Sequence, residues 1–176
     1  CSYDELFAKL KLKEEGNQVV TIANPATYEY QCLRNTLLPG MLKTIYHNKS
    51  QELPLKLFEI SDIIVQDPSV DVGARNQRNL LAIQYSNSTG FEVVHGLLDL
   101  LMKKLGVQYI PAPAEGAKKA GGVDLSPKDN FYYIREGNCP TFFPGRAADV
   151  AAPVGQPKRD APVGACELEI VRDVLR

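Results

Sequence analysis

The spacing of apolar residues changes several times along the chain, and each change marks an element. Leu38, Met41, Leu42 and Ile45 recur at intervals of three and four, the stripe of an amphipathic helix. This predicts a helix over Leu37–Asn48. Upstream, Asn24-Pro25 is extended, because a residue before proline avoids helical geometry. Asn35 or Thr36 can cap the helix, and Pro39 is tolerated in a first turn whose N–H groups have no intrahelical acceptor. Gly40 weakens the helix by about 1 kcal/mol relative to alanine. Burial of the stripe, in the core or at an interface, must therefore hold this helix.

A second helical stripe runs through Phe91, Val94, Leu97, Leu98, Leu101, Met102 and Leu105. Thr89 with Glu92 starts it, Lys103 and Lys104 suit its carbonyl end, and Gly106 suits the position after it. A shorter helix is predicted within Cys1–Leu12, where Ser2 and Glu5 can cap and Leu6, Phe7 and Leu10 give the stripe. Strands are predicted at Val19–Ala23, Leu55–Gln66, Leu80–Tyr85, Val107–Ile110, Phe131–Arg135, Ala147–Ala151 and Ala165–Val171. Leu55–Gln66 and Leu80–Tyr85 can pair antiparallel across the turn-rich Asp67–Asn76. Pro111–Asp129 reads as a loop insertion and Ala152–Pro162 as a proline-rich loop. The pattern implies an α+β fold with a largely antiparallel sheet, in a single domain spanning residues 1–176.

Composition narrows the function classes. The 176 residues are 44% hydrophobic and 23% charged, with a formal net charge of -1. Nucleic-acid binding by phosphate neutralisation finds no basic excess to rest on. No apolar run is long enough to span a bilayer, and no signal peptide is present. Residue 1 is not Met, so the chain reads as a fragment of something longer or as a processed product. Cys1, Cys32, Cys139 and Cys166, with His47 and His95, show no metal-ligand spacing and no disulfide framework; they read as reduced, mostly buried thiols of a cytosolic protein.

Candidate chemistry is sparse. Ala120-Gly121-Gly122 lacks phosphate-loop spacing. His95 lies inside its helix near Asp99, without a placed nucleophile, and reads as structural. His47 sits where it can cap its helix or complement the dipole. Glu59 and Asp62, three residues apart on a strand, point to opposite faces and do not make a shared cation site. Arg146, behind a Pro-Gly turn, and Arg34 are candidate polar anchors, each able to fork onto a ligand or onto a carboxylate of the chain.

Several stretches together carry a resemblance. Asn24-Pro25-Ala26-Thr27 and Arg34–Ile45, Leu53–Asp62, Asp71–Asn76, Gly90–Asp99 and Phe142–Ala148 resemble, in order, the β subunit of phenylalanyl-tRNA synthetases of the archaeal and eukaryotic cytosolic type. The resemblance implies a degenerate class II aminoacyl-tRNA synthetase-like core, an antiparallel sheet flanked by helices. It implies a non-catalytic scaffold in a cytoplasmic α2β2 ligase whose α subunit binds ATP, Mg²⁺ and phenylalanine and charges tRNA(Phe). This fragment is expected to bind no cofactor or metal itself. The helix with Leu38, Met41, Leu42 and Ile45 takes the place of the first class II motif, which implies an inter-subunit interface. The Arg-x-Glu of the second motif is absent; Phe58-Glu59 ends that strand, and Lys56 is the cation left there. Two alternatives compete: a free-standing interaction domain and an autonomous amino-acid-activating enzyme. Between Gln156 and Asp160 a family segment is missing, and omission rather than loss is expected, since losing a strand and its helix would leave an unpaired sheet edge.

Overall fold

The computed structural model describes residues 1–13, 19–88, 91–112, 119–120, 123–124, 130–137, 139–143, 145 and 147–151. They fall into two compact units, Cys1–Tyr85 and Ser86–Arg176.

The first unit is built on a long hairpin. Strand β1, Leu55–Gln66, pairs antiparallel with β2, Ala74–Tyr85, from Leu55↔Tyr85 to Gln66↔Ala74. β1 has the bounds that its composition implies. β2 begins six residues earlier than Leu80, because its polar half is held by the ladder and by cross-strand pairs rather than by apolar content. One such pair is Arg78 Nε to Asp62 Oδ1, 2.9 Å. The turn closes through Asp67, whose Oδ1 accepts from the Ser69 amide at 3.0 Å. Gly73 completes it in the left-handed region at φ 70°, where a Cβ would be strained.

Helix α1, Leu38–His47, lies against β1 and β2. Thr36 Oγ1 accepts from the Leu38 amide at 3.3 Å, and Pro39 occupies the first turn. At the other end His47 Nδ1 lies 2.8 Å from the Lys43 carbonyl and Asn48 Nδ2 donates to that of Thr44 at 2.7 Å. His47 is thus a capping residue. A π-helical turn, Asp4–Ala8, precedes this, and a 3₁₀ turn covers Tyr28–Tyr30. The strand expected at Val19–Ala23 is reduced to a single bridge, Thr21↔Cys32. Leu6, Phe7, Val19 and Cys32 form one core cluster here.

In the second unit α2 covers Phe91–Lys104 and ends in a Schellman motif. Gly106 N donates to the Lys103 carbonyl and Val107 N to that of Met102, with Gly106 at φ 72°, the paired bonds that satisfy terminal carbonyls. Its Val94, Leu98 and Met102 pack with Tyr132 as a core cluster, joined by Val107, Ile134 and Val150. Three strands form a sheet in the order β3 (Gln108–Tyr109), β6 (Phe131–Glu136), β7 (Ala148–Ala151). β3 and β6 are parallel, β6 and β7 antiparallel. Within the expected loop insertion, β4 (Lys119–Ala120) and β5 (Val123–Asp124) form a small antiparallel pair. The expected capping residue Thr89 and the expected strand Ala165–Val171 lie outside the described residues. The architecture among the described residues is α+β, with two antiparallel strand pairs and one mixed three-stranded sheet.

Candidate functional site

The helix stripe divides in its environment. Leu38 is 1% exposed, Ile45 2% and Met41 5%, so three of the four side chains expected at an interface are filled against the chain's own core. Leu42 is half-buried, and Tyr46, one turn on, is exposed, with Lys49 Nζ 4.7 Å from its ring centroid. The helix is tied to the N-terminal turn through Lys43, which pairs with Glu5. Burial pushes the Glu5 carboxyl up, but Lys43 and the Ser2 amide outweigh it and hold the carboxyl below its ordinary range.

Arg34 is the most heavily engaged polar residue of the first unit. Its Nη1 donates to Glu59 Oε1 at 3.0 Å, its Nε to the Asp62 carbonyl at 3.0 Å, and its Nη2 to Ser61 Oγ. The main chain beside it joins β1, since the Ile64 amide donates to the Arg34 carbonyl at 2.9 Å. Arg34 therefore fastens the segment leading into α1 to the middle of β1. Its anchor is intramolecular. Arg146 lies outside the described residues.

Alternation along β1 puts Glu59 on the face that carries Ile63, Leu81 and Ile83, all buried. Asp62 is on the other face, held by Arg78 and Asn76. The hydrogen bonds of Arg78 and Asn76 keep its carboxyl below the usual range. The opposite-face expectation holds, and each carboxylate is neutralised by its own arginine. The outer face runs Lys56, Phe58, Ile60, Asp62, across from Gln84, Ala82, Leu80 and Arg78. Phe58 is 72% exposed and Ile60 60%. Two large apolar side chains in the open on adjacent outward positions form a patch, and patches of this kind mark contact surfaces. Its signal in the sequence is the imperfect alternation of Leu55–Gln66, where Leu57, Phe58 and Ile60 are apolar on both faces of the strand, a pattern that suggests apolar contact on both faces or a bulge.

The second unit carries a cleft of about 600 Å³ lined by His95, Asp99 and Lys103 of α2, Gly106–Tyr109 and Tyr132. Asp99 is its hub. Tyr132 donates its hydroxyl to Asp99 Oδ1 at 2.5 Å, and His95 Nδ1 lies 3.3 Å from Oδ2. Burial, then the Asp99 bond, push the Tyr132 hydroxyl's pKa far up. His95 leans on Phe91, 5.6 Å between ring centroids. The imidazole is held from both sides, in keeping with a structural role. Among the described residues no group of three or more His, Cys, Asp or Glu could hold a metal ion. Nor is any described helix long and apolar enough to cross a membrane.

Comparison with known proteins decides the family. Residues 1–164 match the family model for the phenylalanyl tRNA synthetase beta chain CLM domain. The chain belongs to this family. It is similar to the phenylalanine–tRNA ligase beta subunit of Homo sapiens, 44% identical over 152 residues, which is 86% of this chain and 23% of the relative. The Drosophila melanogaster subunit is 45% identical over 150 residues, 85% of this chain and 23% of the relative. The Saccharomyces cerevisiae subunit is 38% identical over 151 residues, 85% and 24%. The CLM-domain chain thus spans about a quarter of the length of these relatives.

Proposed function

We propose that this chain is the class II synthetase-like core of a phenylalanine–tRNA ligase β subunit. It supports an α subunit that performs the ATP- and Mg²⁺-dependent charging of tRNA(Phe), in a cytoplasmic α2β2 enzyme. One observation carries the scaffold reading. The β1–β2 hairpin, where a catalytic class II core needs an arginine for the α-phosphate, has its carboxylates tied up by Arg34 and Arg78 and offers Phe58 and Ile60 to solvent. A surface of that kind suits protein contact better than stabilisation of a charged phosphoryl transition state. A named relative, the Arabidopsis thaliana subunit, is described as cytoplasmic and is 37% identical over 150 residues.

In this reading α1 is part of the inter-subunit seam. Leu38, Met41 and Ile45 hold the helix from beneath, and Leu42 with Tyr46 face the partner. Leu42→Asp in the full-length β chain then places a charge in the closed seam. Co-expressed with the α chain, the variant is expected to run as separate subunits by light scattering while remaining folded by circular dichroism, with a modestly lowered melting midpoint. A wild-type tetramer from the folded variant removes Leu42 from the interface.

A further inference from the structure

Cys1 and Cys32 are 31 positions apart, yet their main chains exchange both hydrogen bonds. The Cys1 nitrogen donates to the Cys32 carbonyl at 3.1 Å, and the Cys32 amide to the Cys1 carbonyl at 3.0 Å. That reciprocal exchange is the signature of directly opposed residues in an antiparallel pair, whose Cα atoms lie about 5.5 Å apart. Disulfides form at Cα separations of about 4.4–6.8 Å. Directly opposed side chains leave the ladder on the same side, with Cβ atoms about 5.5 Å apart in a hydrogen-bonded pair, so a shift of about 1–2 Å brings them to disulfide spacing. The Cys32 thiol already turns toward Cys1, its Sγ donating to the Cys1 carbonyl at 3.0 Å.

We propose that Cys1 and Cys32 are a reversible redox pair that closes to a disulfide when the glutathione pool becomes oxidised. Accessibility sets the order of events. Cys1 is partly exposed and Cys32 is 2% exposed. The Cys1 thiolate attacks glutathione disulfide, which forms a mixed disulfide and releases one glutathione. The Cys32 thiolate then attacks the Cys1 sulfur and releases the second. Two protein thiols are oxidised, one glutathione disulfide is reduced to two glutathiones, and the protons leave on those thiols. A reducing cytosol keeps the pair as thiols at rest, and thiol–disulfide exchange makes the closure reversible. Closure ties the chain ahead of the Asp4–Ala8 turn to the segment that carries Arg34, two residues beyond Cys32.

The test uses the full-length β chain in its complex with an α chain, equilibrated across glutathione/glutathione disulfide ratios, quenched by alkylation and mapped without reduction. A linked peptide joining Cys1 to Cys32, lighter by two hydrogens than the sum of its parts, is expected to accumulate in disulfide-rich buffer and vanish with dithiothreitol. Cys139, partly exposed in the other unit, is expected to carry only a glutathione adduct. In Cys32→Ser, Cys1 should stop at the same adduct. The thermal midpoint should rise in oxidised wild type and not in Cys32→Ser. Wild-type Cys1 that stops at the glutathione adduct overturns the proposal. So does an unmodified pair across the whole range, or Cys1 linked to a cysteine other than Cys32.

Discussion

Replacing Arg34 tests how the hairpin and α1 are joined. The guanidinium makes three contacts at once, to Glu59 Oε1, to Ser61 Oγ and to the Asp62 carbonyl. Its side chain is 37% exposed and that of Glu59 32%. Solvent therefore screens the ion pair, which is worth about 1 kcal/mol rather than the larger value of a buried pair. The two further bonds add about 0.5–1.5 kcal/mol each. Arg34→Ala should then cost about 2–4 kcal/mol, a drop in thermal midpoint of about 4–16 °C for a chain of this length. Lysine can reach one acceptor but cannot fork, so Arg34→Lys should still cost about 1–2 kcal/mol. The assay is urea unfolding of wild type, Arg34→Ala, Glu59→Gln and the double variant, read as a double-mutant cycle. A coupling of about 1 kcal/mol is expected between Arg34 and Glu59. Arg34→Lys as stable as wild type, or no coupling, would refute the clamp and return Arg34 to the pool of ligand-binding candidates.

Three other outcomes follow from the same contacts. Ile45→Ala, at a 2% exposed site, should lose about 2–4 kcal/mol, whereas Leu42→Ala at its half-buried neighbour should lose under about 1.5 kcal/mol by urea midpoint. Tyr132→Phe removes the hydroxyl that donates to Asp99 and should cost about 1 kcal/mol near neutral pH. The native hydroxyl titrates above its ordinary value of 10.0, so its stabilisation is complete below pH 10 and fades as pH rises through the folded pKa. Alkaline unfolding should thus be steeper for wild type than for Tyr132→Phe. Glu5 has the opposite sign: its carboxyl titrates below 4.5 in the fold, so its contribution is present above that value and lost as pH falls through the folded pKa. Glu5→Gln should flatten the acid limb of stability against pH.

Elements with one dominant period were legible in the sequence. α2 and β1 follow from a helical stripe and from an uninterrupted β-rich run, and α1 differs from expectation by one residue at each end. The polar half of β2 was not legible, because Arg75, Asn76 and Arg78 are strand residues through their partners across the hairpin, and no local propensity records a partner. Val19–Ala23 failed in the other direction. Its β-branched run forms only the Thr21↔Cys32 bridge, framed by the bonds of Ile22 N to the Gln31 carbonyl and of Leu33 N to the Val20 carbonyl, and propensity alone does not extend a strand beyond its partner. At the site, the opposed faces of Glu59 and Asp62 followed from period two alone. The partners of Arg34 did not, because they lie at least 25 positions away along the chain. The stripe on α1 was legible as apolar; that Leu38, Met41 and Ile45 turn inward and leave Leu42 at the edge depends on how the hairpin lies beneath.

The scaffold reading meets its most direct test in phenylalanine-dependent ATP–pyrophosphate exchange. The full-length β chain is assayed alone, then mixed with an α chain and checked for complex formation by light scattering. The account predicts no exchange by the β chain alone and exchange only with the fraction that contains both chains. Exchange by the β chain alone would contradict it and would place a working phosphate site within this subunit.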